Sequence, residues 1–198
     1  MKGFTLIETL VAVLLLSIAI AGPLTIAARG ANAAQIAKDQ IIAYYLAQDA
    51  VEFVRFERDS SCLPSTPCAS TGTPPAWLAG VSGAPLTPCV STDGSAACYI
   101  DSRTNQTGSC LGTPASCSSP IKYDGASGRG YYVSVPLKSP YTSCSGTSCI
   151  TTTFLRSVKI VYSASTPTEA LLTVTVSWTD AGSLSHSVVL TEDMFDWE

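Results

Sequence analysis

The chain opens Met1-Lys2-Gly3-Phe4-Thr5-Leu6-Ile7-Glu8 and then continues to Ala28 without another charge, so Glu8 is the only ionisable side chain in the 25 residues from Phe4 to Ala28. As a helix this run rises about 37 Å, enough to cross a bilayer core of roughly 30 Å with some tilt. A secretory signal peptide shares the basic start and the apolar middle, but its cleavage site follows the apolar run. Here the acid lies inside the run, five positions after Gly3. A carboxylate in a membrane span costs several kcal/mol unless it is partnered, which makes Glu8 a functional residue by default. No cation follows it until Arg29. Cleavage between Gly3 and Phe4 would place a new α-amino group four residues from the Glu8 carboxylate, available to its own chain or to a neighbour. The alternative is that Glu8 simply reaches toward the headgroups from the helix end.

Gly3, Phe4, Thr5, Leu6, Ile7 and Glu8, with Lys2 as the basic leader residue and the apolar run behind them, resemble position by position the precursor signature of type IV pilins and of the pseudopilins of type II secretion. The resemblance implies cleavage after Gly3 by an inner-membrane prepilin peptidase, N-methylation of Phe4, and Glu8 guiding register between neighbouring pilin subunits. It also implies a single-pass protein of the bacterial inner membrane with its C-terminal head outside the cytoplasm. Such a chain is drawn by a pilus or secretion assembly platform into a filament at the cell surface. Charge alone orients the chain weakly, because Lys2 is offset by Arg29 and Lys38 on the other side.

Gly22-Pro23 interrupts the run. Proline removes a backbone bond, yet membrane helices tolerate it where neighbours re-satisfy the carbonyl, so a bend or melted stretch is expected there rather than a helix end. Helical periodicity resumes beyond Arg29: Ile36, Ala43, Leu46, Ala50 and Phe53 fall on one face, and Gln48, Glu52, Arg55 and Asp59 on the opposite one. One helix from Phe4 to about Arg58 follows, its first half buried in lipid or a filament core and its second half packed on a sheet. Tyr45 to Asp59 is also similar to the helix end of minor pilins.

The 198 residues have room for one domain and one long appended element. A net charge of −4 offers no basic surface for nucleic acid, which is set aside as a default without being excluded. Eight cysteines, Cys62, Cys68, Cys89, Cys98, Cys110, Cys117, Cys144 and Cys149, all follow the apolar segment and point to an oxidising compartment. Zinc is disfavoured because no spacing is Cys-x-x-Cys and the only histidine, His186, is remote. Residues 60–120 hold six of these cysteines and eight of the twelve prolines with only Asp93, Asp101 and Arg103 charged, a loop composition in which disulfides supply order. Pairing in sequential short loops is preferred: Cys62 with Cys68, Cys89 with Cys98, Cys110 with Cys117 and Cys144 with Cys149. A longer link that clamps the loop onto the sheet is the alternative.

After Tyr131 the pattern turns to strands, at Tyr131 to Leu137, Phe154 to Ser163 and Leu172 to Thr179, the last alternating cleanly. Asp180-Ala181-Gly182-Ser183 is a turn, and Leu184 to Thr191 returns as a hairpin. The expected fold is α+β, a long helix on an antiparallel sheet of about four strands. Its expected divisions are a leader 1–3, an apolar half-helix 4–28, an amphipathic half 29–59, a loop region 60–130 and a sheet 131–198. His186 reads as a structural strand residue, and no serine, cysteine or carboxylate nominates it as a base. No catalytic residue, metal or cofactor is expected. The leading function is a minor pilin-like structural subunit, with a type II secretion pseudopilin second. An adhesin or DNA-uptake tip, using Trp77 and Tyr99 of the cysteine-rich loop for stacking, is the reading of another class.

Overall fold

The computed structural model describes residues 5–61, 74–80, 86–103, 105–110, 117, 120–125, 131–133, 149–180 and 182–196. The chain divides into two units, Met1–Ile41 and Ile42–Glu198. One helix, α1 (Leu6–Ser61), begins in the first unit and ends in the second.

In the first unit the large apolar side chains from Leu6 to Ile26 are exposed all round. A helix that is apolar on every face requires lipid or protein around it, and this one is long and apolar enough to cross a membrane. Its hydroxyls are already satisfied within the helix: Thr9 Oγ1 donates to the Leu6 carbonyl, Ser17 Oγ to Val13 and Thr25 Oγ1 to Gly22, each at 2.8 Å. Such back-bonding lets polar side chains enter an environment without water. The helix passes unbroken through Gly22 and Pro23, so neither a helix end nor a melted stretch is found there. Pro23 costs α1 one amide donor.

In the second unit α1 becomes one-sided, as its periodicity predicts. Ala43, Leu46, Ala47, Ala50, Val51, Phe53, Val54 and Glu57 are buried, while Gln48, Glu52 and Asp59 face solvent. Burying each of the larger side chains stabilises by about 1.5 to 3 kcal/mol relative to exposure. Two 3₁₀ turns follow, Ala76–Leu78 and Thr87–Cys89. The strands are β1 (Val90–Ser91), β2 (Cys98–Asp101), β3 (Gln106–Ser109), β4 (Lys122–Asp124), β5 (Tyr131–Val133), β6 (Cys149–Thr151), β7 (Leu155–Ser163), β8 (Thr166–Thr179) and β9 (Ser185–Phe195).

The main sheet runs β3-β2-β7-β8-β9, with β1 also bordering β7. It is antiparallel except where β1 joins β7 in parallel, Val90 opposite Ile160. The alternation expected for β8 holds: Leu172, Val174, Val176 and Trp178 are buried. They form one core with Leu46, Phe53, Val54, Val158 and Ile160, which packs the second half of α1 on the sheet. β8 starts six residues before the expected Leu172 because Thr166, Glu169, Ala170 and Leu171 still pair, with a register shift between Tyr162 and Ser163.

Residues 60–130 are not loop throughout. β1, β2, β3 and β4 lie there, and β1, β2 and β3 join β7, β8 and β9, so among the described residues the main sheet has six strands where about four were expected. β5 does not join that sheet. It pairs with β4 in a second sheet of order β5-β4-β6, with Tyr123 opposite Tyr132 and Ile150; residues 134–137 of the expected strand lie outside the described residues. Cys89 is bonded to Cys98 and Cys110 to Cys117, the sequential pairs. The first staple joins the residue before β1 to the start of β2, two strands that adjoin the same side of β7. Cys149 is also disulfide-bonded. Cys62, Cys68 and Cys144 lie outside the described residues, and with them the other two expected pairings.

Candidate functional site

Glu8 sits in the first turn of α1, where the partial positive charge of the helix N-terminus favours a carboxylate. The Thr5 carbonyl accepts the amides of Glu8 (3.1 Å) and Thr9 (3.3 Å), starting the helix. The Glu8 side chain projects outward among exposed leucines and isoleucines. That is an acid presented by an apolar rod, suited to meet a cation carried by another group in the same apolar phase. Gly3 and Phe4 lie outside the described residues.

The second unit carries a polar cluster that the sequence did not announce. Arg156 has the inward parity of β7 and is buried, only 4% exposed. Its Nη1 donates to the Leu46 carbonyl and to Asp49 Oδ2, both at 2.8 Å, and its Nη2 to the Ile100 carbonyl at 2.7 Å. One guanidinium thus ties α1, β2 and β7 together. Ser102 Oγ donates to both Asp49 oxygens, at 2.9 and 3.0 Å. A second link, Arg55 Nε to Glu192 Oε1 at 2.8 Å, joins α1 to β9. Glu192 raises the Arg55 pKa, chiefly through this bond. The only sequence signal for the cluster was a charged residue at an inward strand position.

His186 lies opposite Trp178 across the β8–β9 hairpin. The two rings stack with centroids 5.4 Å apart and planes 22° from parallel, and His186 Nε2 is 3.1 Å from Asp180 Oδ2. Asp180 Oδ1 accepts the amides of Gly182 and Leu184 at 2.9 Å. These bonds hold the Asp180 carboxyl below the usual carboxylate range, the Leu184 amide first and His186 next. This is a built turn, consistent with His186 as a structural residue.

Trp77 is buried and donates from Nε1 to the Pro167 carbonyl at 2.9 Å, so it anchors the chain rather than offering a stacking face. Tyr99 covers its cross-strand partner Gly108, where any Cβ would strike the ring. Burial and then the nearby Asp101 charge raise the Tyr99 phenol pKa. Among the described residues no group of three His, Cys, Asp or Glu side chains is placed to hold a metal ion.

No curated protein and no solved structure gives a significant match to the chain. Residues 1–22 match the family model for the prokaryotic N-terminal methylation motif. The matched span covers Glu8 and the exposed apolar turns of α1 as far as Gly22; the motif indicates a structural subunit, and together with the apolar helix it fits anchoring in a membrane. This motif is the type IV pilin signature, and it supports reading the chain as a type IV pilin-like or pseudopilin precursor.

Proposed function

We propose that the chain is a minor subunit of a type IV pilus, cleaved after Gly3 by a prepilin peptidase, N-methylated on Phe4 and packed into a helical filament through the first half of α1. The carrying observation is Glu8, an acid on a helix whose every other side chain up to Ala28 is uncharged. Moving such a helix from lipid to an equally apolar filament core gains little from the hydrophobic effect, so register must come from packing and polar pairing. The Phe4 amine of a neighbour supplies the cation that Glu8 needs. A contact repeated head to tail with fixed rotation and rise then builds an open helix of subunits. Pro23, which lacks an amide donor, is the point at which the helix bends on packing. The disulfide-bonded strands around 89–117 favour a minor subunit, since a large stapled surface is hard to repeat along a whole filament.

Intact mass and N-terminal sequencing of the membrane-extracted protein test this reading. The expected chain begins at Phe4 and carries one additional methyl group. Cleavage after the apolar run would overturn it. A type II secretion pseudopilin shares the same processing, and the two are separated by whether the subunit is found in retractable surface fibres or with a secretion channel.

A further inference from the structure

We propose that a groove on the second unit, between Tyr45 of α1 and Tyr132 of β5, binds a neutral saccharide ring. The groove has a volume of about 640 Å³, within the roughly 300–1,000 Å³ of small-molecule sites. Ile42 and Leu46 form its apolar floor, and Asp49, Ser102 and Arg103 supply its polar edge. Tyr45 is 65% exposed, an aromatic surface left in water beside that floor. Tyr132 is held edge-on by Tyr123, with ring centroids 5.4 Å apart, so its position is fixed before any ligand arrives.

The charges select the ligand class. Asp49 is paired with buried Arg156 at 2.8 Å, and Arg103 with Asp124 at 3.5 Å. Each formal charge at the groove is compensated within the protein, so an anion or a cation would bring an uncompensated charge into a partly desolvated site. A polyol brings none. Asp49 is 44% exposed and its oxygens are fixed by Arg156 and Ser102, which leaves remaining lone pairs oriented to accept sugar hydroxyls. Preorganised acceptors of this kind bind without the cost of being ordered. The apolar C–H face of a pyranose fits an exposed aromatic ring, as one amphipathic surface on another. Tyrosine walls, an aliphatic floor and a neutralised polar edge together describe a ligand with one apolar face and a hydroxyl rim. This inference concerns the head alone and stands apart from how the chain assembles.

The test uses the full chain in a polyoxyethylene detergent, which has no sugar headgroup. Methyl β-glucopyranoside, methyl β-galactopyranoside and N-acetylglucosamine are titrated by calorimetry or by tyrosine fluorescence. At least one saturates the protein with a dissociation constant in the millimolar range or tighter. Tyr45→Ala weakens that binding by about tenfold or more, Tyr45→Phe retains it, and Phe56→Ala, an exposed apolar change elsewhere on α1, leaves it unchanged. Tyr45 is exposed, so Tyr45→Ala keeps the fold, which circular dichroism and disulfide mass mapping check. The proposal is overturned if none of the three sugars saturates, if Tyr45→Ala binds as well as the parent chain, or if inorganic phosphate or sialic acid binds more tightly than every neutral sugar. It is also overturned if Tyr45→Ala abolishes self-association of the chain while no sugar competes, since the groove would then be a subunit contact.

Discussion

Arg156 shows what one side chain can hold. Its guanidinium fork reaches the Leu46 and Ile100 carbonyls and the Asp49 carboxylate, so that a residue of β7 holds partners on α1 and on β2. Lysine offers one compact charge in place of that planar fork. Arg156→Ala is expected to destabilise the head by about 2 to 4 kcal/mol, because two buried carbonyls lose their donor at once while the half-exposed Asp49 keeps Ser102. Arg156→Lys should recover only part of this loss. Urea unfolding followed by tryptophan fluorescence measures both; a change below about 1 kcal/mol for the alanine variant would contradict the arrangement. The cluster was barely legible in the sequence. Arg156 shares parity with Val158, Ile160 and Tyr162, yet nothing in a strand pattern reveals that two carbonyls more than fifty positions away will point at one spot.

The β8–β9 hairpin is the element most fully readable in advance. Its pairing runs from Glu169 opposite Phe195 to Thr179 opposite Ser185, long enough for a period of two to show. Its turn was marked by Asp180 and Gly182, and Ser183 adopts a φ of 63° to close it. Because folding depresses the Asp180 pKa, its contribution is present above the ordinary aspartate value of about 3.9 and is lost as pH falls through the lower folded value. The Gly182 and Leu184 amide resonances should therefore move below about pH 4, and Asp180→Ala should remove that inflection. Amide shifts that stay flat through this range in the parent protein would refute the assignment. By contrast β1, β2, β3 and β4 are two to four residues long, too short to display any period among prolines and serines. β1 and β2 hold because β7 offers a partner edge and the Cys89–Cys98 bond keeps them beside it, β3 because β2 is there to pair with, and β4 because β5 and β6 flank it in the second sheet. That support is tertiary, and composition alone read it as loop.

At the scale of the molecule the two units make opposite demands. The first exposes an apolar helix that needs lipid or neighbouring helices; the second is stapled by disulfides and needs an oxidising medium. A chain with both is suited to a membrane that borders an oxidising compartment. Within a filament the Glu8 pair would lie in an apolar core, where removing one partner costs on the order of 3 to 5 kcal/mol. Glu8→Leu is thus expected to insert in the membrane as well as the parent chain and to enter filaments poorly, read as the ratio of sheared-filament to membrane-bound protein. An unchanged ratio would remove Glu8 from assembly.

The bond from Arg55 to Glu192 spans 137 positions of sequence, and that distance sets a schedule. The face of α1 bearing Leu46 and Phe53 leaves the ribosome roughly ten seconds before β9 at ordinary elongation rates. Until β7 and β8 emerge, Leu46, Phe53 and Val54 lack most of the strand side chains that complete their core. The second unit is therefore a late folder by topology, because its core joins residues far apart in sequence, and the nascent chain is most open to holdase capture or misassociation before those strands arrive.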